Sequence, residues 1–93
     1  MTAKKYDTIP TKTFLKELAK LSDEEKDLVM DTLEILAQDP FYPSLRTKKM
    51  RLKKKKGLYE SSVNMDIRFF WKFQDNQIIL LADVGHHDVL KKY

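Results

Sequence analysis

The stretch Asp66-Ile67-Arg68-Phe69-Phe70-Trp71-Lys72-Phe73, followed by Gln74-Asp75-Asn76-Gln77 and by Ile78-Ile79-Leu80-Leu81-Ala82-Asp83-Val84, decides the fold. Two runs rich in β-branched and aromatic residues flank a polar quartet with turn chemistry. They read as antiparallel strands, Asp66 to Phe73 and Gln77 to Val84, the second closed by Gly85. Period-2 alternation puts Ile67, Phe69, Trp71 and Phe73 on one side and Arg68, Phe70 and Lys72 on the other. The first set is to bury; the second is to line an open face. Upstream, Gly57 breaks a basic stretch and Leu58 to Asn64 predicts another strand. Leu45, Met50 and Leu52 are spaced for an edge strand, and Phe41-Tyr42-Pro43-Ser44 reads as a loop with aromatic anchors.

Toward the N-terminus the spacing becomes helical. Lys5 to Ile9 suits a short strand that Pro10 ends. Thr11 is placed to cap a helix whose apolar stripe is Phe14, Leu15, Leu18 and Leu21. Ser22 and Glu25 have capping-box spacing, and the acids there favour the positive end of the helix dipole. Leu28, Val29, Thr32, Leu33 and Leu36 form the second stripe, stopped at Asp39-Pro40 because the residue before proline disfavours α geometry. Helices grouped ahead of a meander indicate an α+β fold: a short N-terminal strand and an α-helical hairpin packed on a largely antiparallel β-sheet.

At 93 residues the chain fits one domain, residues 1–93, with a modest core. It has no cysteine, which removes disulfides, thiolate metal sites and Cys nucleophiles together. The longest apolar run, Ile78 to Ala82, is far short of a membrane span, and the first residues show no signal peptide, so a cytoplasmic protein is expected. His86-His87 beside Asp83 or Asp88 invites a metal reading. Adjacent residues on extended backbone point apart and no third ligand has a recognisable spacing, so no metal is expected; His86 reads by default as a hydrogen-bond donor closing the loop.

The net charge of +4 is unevenly placed. Arg46, Lys48, Lys49, Arg51, Lys53, Lys54, Lys55 and Lys56 follow one another with no acid between them; the remainder of the chain is net acidic. Such a patch attracts a polyanion, with nucleic acid the favoured reading and a solvated lysine-rich loop the alternative.

The block from Gly57 through Asp66-Ile67-Arg68 to Trp71, together with Ile78 to Leu90 and its Gly85-His86-His87-Asp88 ending, resembles the RelE/ParE toxin superfamily, on its RelE/YafQ-like mRNA interferase side. That resemblance implies a RelE-like domain and the toxin of a type II toxin–antitoxin system. Such a toxin cuts mRNA in the ribosomal A site, inhibits translation without a cofactor, and is neutralised by a cognate antitoxin. Arg68 matches the strand arginine that contacts the scissile phosphate, His87 the position of an arginine or catalytic histidine, and Asp66 an active-site aspartate of the YafQ-like branch. Lys53 to Lys56 match a basic region that grips RNA, and Arg51 is a further RNA-binding candidate. Tyr93 matches a frequent terminal aromatic, though farther from His87. Tyr59 and Ser61 stand where RelE has lysines, and the YafQ-like branch has more histidines than this chain. The same resemblance admits a ParE-like topoisomerase inhibitor or an inactive RNA- or partner-binding member.

Metal-free RNA cleavage needs a proton removed from the 2′-OH, charge stabilised on the phosphorane, and a proton delivered to the leaving 5′-oxygen. Histidine suits the proton steps because its ordinary pKa is roughly 6.5. Arginine offers a permanently charged planar fork to two phosphate oxygens. His87 is therefore assigned as general acid or acid/base and Arg68 as the transition-state clamp. For Asp66 two readings stand, orienting the imidazole or pairing with Arg68 or a lysine. Lys53, Lys54, Lys55 and Lys56 would hold phosphates, and Tyr59 and Tyr93 are candidates for stacking on a base, with strand packing the alternative for Tyr59.

Overall fold

Alternation and capping together account for most of the elements. In the computed structural model, which describes residues 5–50 and 57–87, β1 is Asp7–Pro10, α1 Lys12–Leu18, α2 Asp23–Gln38, β2 Lys48–Lys49, β3 Tyr59–Ser62, β4 Ile67–Phe73 and β5 Ile78–His86. A single 3-10 turn, Pro43–Leu45, precedes β2. The sheet runs β1-β5-β4-β3-β2; β1 is parallel to β5 and the other pairs are antiparallel. The expected α+β architecture is what forms. No helix among the described residues is long and apolar enough to cross a membrane.

Both predicted caps are present. Thr11 Oγ1 accepts the Phe14 N–H at 3.2 Å to start α1. At α2, Ser22 Oγ accepts the Glu25 N–H at 3.2 Å while Glu25 Oε1 accepts the Ser22 N–H at 2.9 Å. This reciprocal pair satisfies two donors that a bare helix end leaves orphaned. The helices cover one sheet face. Phe14, Val29 and Leu36 meet Ile67, Phe69, Trp71, Ile79, Leu81 and Val84 in one core, with each strand residue 2% exposed or less.

Trp71 fills the centre of that core, and its polar handle is satisfied. Its Nε1–H donates to Ser61 Oγ at 2.9 Å. Ser61 and Thr47 hydroxyls lie 2.6 Å apart, and Thr47 Oγ1 also donates to the Pro40 carbonyl at 2.6 Å. With the Thr47 proton committed to Pro40, Ser61 is the donor of the pair. The chain of bonds ties the loop after α2 to the strands.

Three expectations are corrected. First, β3 ends at Ser62 rather than Asn64, because Asn64 Oδ1 takes the Asp66 and Ile67 N–H groups at 2.9 and 2.7 Å and closes a turn. Second, β5 runs through Gly85 to His86: Gly85 is buried opposite Arg68, and the positive φ values among the described residues are at Arg46 and Gly57. Third, the face opposite the helices is not open along its length. Phe70 is 1% exposed and sits with Leu58, Met50 and Ala82 in a second small cluster. Phe70 is covered at the centre of that face, while Arg68 on one side of it is half-buried and Lys72 on the other is exposed.

The register contains one irregularity with consequences for the site. Phe70 pairs with Asp83 but Trp71 pairs with Leu81, so Ala82 is an extra residue in β5. A bulge of this kind reverses the alternation beyond it. Leu81 and Val84, an odd number of positions apart, thereby both face the helices. Thr11 stabilises the bulge, donating through Oγ1 to the Leu81 and Ala82 carbonyls at 2.9 and 3.1 Å.

Candidate functional site

The bulge decides which histidine goes where. Without it, His87 would share the parity of Leu81 and turn toward the helices. With it, His86 pairs with Ile67 on the helix side, and Gly85 pairs with Arg68 on the other. His87 lies one position beyond the strand, exposed, with its N–H donating to the Asp66 carbonyl at 2.7 Å. That bond continues the β4–β5 register, so His87 and Arg68 occupy diagonal positions. Diagonal neighbours across an antiparallel pair stand about 7–8 Å apart at the backbone, within reach of long side chains.

Arg68 projects from the last pair of the β3–β4 ladder, opposite Ser62, and Arg68 Nη1 donates to Ser62 Oγ. It borders a cavity of about 170 Å³ shared with Ser44, Arg46, Ser62, Val63, Asn64 and Met65. The lining holds two arginines and no carboxylate. Arg46 ends the 3-10 turn in the left-handed region, φ 49°. It belongs to the basic run that the sequence singles out, yet only the folded chain reveals it as Arg68's neighbour, because the two lie 22 positions apart. Met65, 91% exposed, forms part of the rim.

Asp66 lies elsewhere than expected. It stands just ahead of β4, outside the strand's alternation, and its carboxylate turns to His86: Oδ2 lies 2.5 Å from His86 Nδ1. The other ring nitrogen, Nε2, is 3.1 Å from Glu25 Oε2 at the start of α2. Asp66 thus orients the imidazole of His86, and it reaches His87 only through its main-chain carbonyl. The Glu25 carboxyl is held below its ordinary value, first by the Ser22 main-chain N–H and then by the Ser22 hydroxyl and His86, against the opposing effect of burial.

Tyr59 takes the packing alternative. Its ring stacks on Trp71 at 4.7 Å and 17°, with Phe41 and Phe73 edge-on at 5.7 and 5.8 Å. The Phe41 anchor expected after α2 is met in the same cluster. Ser61 is fully buried beneath it. Tyr59 and Ser61 therefore both face the core, on the side of β3 opposite Arg68. Arg51, Lys53, Lys54, Lys55, Lys56 and Tyr93 lie outside the described residues.

Glu25, Asp66 and His86 place one potential ligand atom each within 4.8 Å of one another, a grouping that the sequence did not signal because Glu25 comes from a helix 41 positions before Asp66. The carboxylates flank opposite nitrogens of the ring. The short contacts to the ring, Asp66 at 2.5 Å and Glu25 at 3.1 Å, suit an ion-paired imidazole.

No family model matches the sequence, and no curated protein matches it. Solved structures do match in fold. The DinJ–YafQ toxin–antitoxin complex of E. coli superposes with a TM-score of 0.70 at 18% identity, covering 94% of this chain and 98% of that one. The toxin–antitoxin complex RelBE2 of Mycobacterium tuberculosis gives 0.73 at 19%, covering 88% and 98%. A YoeB/ParE toxin from Agrobacterium tumefaciens gives 0.71 at 11%, covering 86% and 96%. The chain has the RelE-like toxin fold.

Proposed function

We propose that this protein is the toxin of a type II toxin–antitoxin pair and a metal-independent endoribonuclease that cuts mRNA in the ribosomal A site. The observation that carries the reading is the Arg68 cavity: two arginines without a carboxylate, open to solvent, next to the strand end that presents His87. Lining of this kind suits an anion such as a phosphodiester and disfavours a cationic ligand.

In this reading Arg68 donates to the non-bridging oxygens of the scissile phosphate, where negative charge grows in the phosphorane. Preorganised charge at that point is worth about 10²–10³ in rate. Arg46 adds a second cation at the neighbouring phosphate. His87, exposed at the end of β5, delivers a proton to the leaving 5′-oxygen, and attack by the 2′-OH leaves a 2′,3′-cyclic phosphate. Lys53 to Lys56 supply affinity without base choice. A cognate antitoxin that covers the cationic face keeps the toxin silent, as the fold relatives solved with their antitoxins suggest.

Induced expression in cells tests the reading. Translation should stop, with cuts mapped inside codons of ribosome-bound message, and cutting in lysate should persist in EDTA. Intact message with inhibited gyrase supercoiling would contradict it and select a ParE-like activity on the same fold. Message and supercoiling both unaffected would also contradict it, leaving a binding role.

A further inference from the structure

The histidine that the proposed chemistry leaves unused is the one most firmly held. His86 has a carboxylate at each ring nitrogen, Asp66 at 2.5 Å and Glu25 at 3.1 Å. A neutral imidazole carries one N–H, so it can donate to only one of them; both contacts become hydrogen bonds only when the ring is an imidazolium. Each carboxylate is itself committed elsewhere. Glu25 divides its oxygens, Oε1 capping α2 through Ser22 and Oε2 facing His86. Asp66 offers its side chain to His86 and its carbonyl to the His87 N–H. An unbroken line of polar contacts therefore runs from the N-terminus of α2, across β5, to the main chain of His87.

We infer that His86 is a positioning residue: as an imidazolium clasped between Glu25 and Asp66, it fixes the end of β5 from which His87 reaches the RNA phosphodiester. The consequence for cleavage rests on the reading of His87 given above; the clasp itself does not. Two features support it. His87 lies just past the last paired strand residue, where a ladder ordinarily frays, and the bond from its N–H to Asp66 is the one that extends the register there. The clasp bears directly on the same Asp66. Glu25 from α2 and Asp66 from the β3–β4 turn, both acids, face the ring. Loss of the ring proton turns one hydrogen bond into a repulsion between lone pairs, so the clasp closes at lower pH and opens as pH rises.

The test uses the full chain. Nitrogen-resolved NMR of the imidazoles should show His86 retaining both N–H protons at pH 7, and the protection of the His87 amide against exchange should fall as His86 loses its proton. H86Q should lower that protection about tenfold and slow mRNA cutting on ribosomes by a similar factor, on the scale expected for a misplaced group. H86R, a permanent cation with donors in a fork, should restore both and abolish the pH dependence of protection. A singly protonated His86 at pH 7, or His87 protection unchanged in H86Q, overturns the clasp. Cutting unchanged in H86Q while protection falls overturns the positioning role. Stoichiometric zinc binding that shifts the His86 resonances and is lost in E25Q overturns the inference in favour of a metal site. A wild-type chain that cuts no RNA would sink the proposed activity and leave the NMR result to judge the clasp.

Discussion

The two faces of β4 divide the molecule's work. Toward the helices, Ile67, Phe69 and Trp71 are inaccessible within the core; on the reverse, one register step away, Arg68 borders a cavity with Arg46. A strand pleat separates them by a single peptide bond. Substitutions on one face should therefore change stability, and substitutions at the open end of the other should change activity, with little leakage between them. The same pleat explains why the face is interrupted at its centre: Phe70, between Arg68 and Lys72, needs cover and finds it in Leu58, Met50 and Ala82.

The largest effect tests the buried side. Trp71→Ala should cost about 3–5 kcal/mol, the usual loss for truncating a large buried aromatic, and denaturant unfolding should show a molecule near its threshold. Next comes Arg68→Ala. Cutting should fall about 10²–10³-fold while the unfolding midpoint moves by no more than about 0.5 kcal/mol. A comparable loss of stability in this variant would erase the division between the faces.

Ser61→Ala sharpens the comparison from within the core. It orphans the Trp71 N–H and removes the link to Thr47, for about 1–3 kcal/mol, with cutting per folded molecule unchanged. The smallest effect lies at the α2 cap. Ser22→Ala should cost about 1 kcal/mol at pH 7. Because the Glu25 carboxyl is held below its ordinary 4.5, the stability that it contributes is present above that value and lost as pH falls through the lowered one. The Ser22 main-chain N–H that chiefly holds this carboxylate survives Ser22→Ala, so the difference that should shrink in acid is that between Glu25→Gln and wild type, measured by urea unfolding at pH 7 and pH 3.

Much of this division is written in local pattern. Phe14, Val29 and Leu36 recur at helical spacing, Ile67, Phe69 and Trp71 at strand spacing, and Ser22 with Glu25 announces a cap; each depends on neighbours within four positions, which a sequence displays openly. The bulge at Ala82 is different. Nothing in Ile78 to Val84 marks an extra residue, and its partner is the Thr11 hydroxyl, some 70 positions away. Since the bulge sets the faces of His86 and His87, the pairing of Asp66 with His86 was hidden along with it. Arg46 was hidden for the same reason: its relation to Arg68 is made by the fold. Tyr59 shows a further limit, because an aromatic residue on a strand suits a core and a nucleobase equally until its neighbours are known.

The central claim is that Arg68 and His87 act on one phosphodiester. It is tested most directly by programming purified ribosomes with a defined mRNA, adding the protein, and identifying the chemistry of each new 3′ end. Wild type should leave 2′,3′-cyclic phosphates in the A-site codon, and Arg68→Ala and His87→Ala should each leave none while melting as wild type does. Normal cutting by both variants, or ends bearing a free 3′-hydroxyl, would contradict the account.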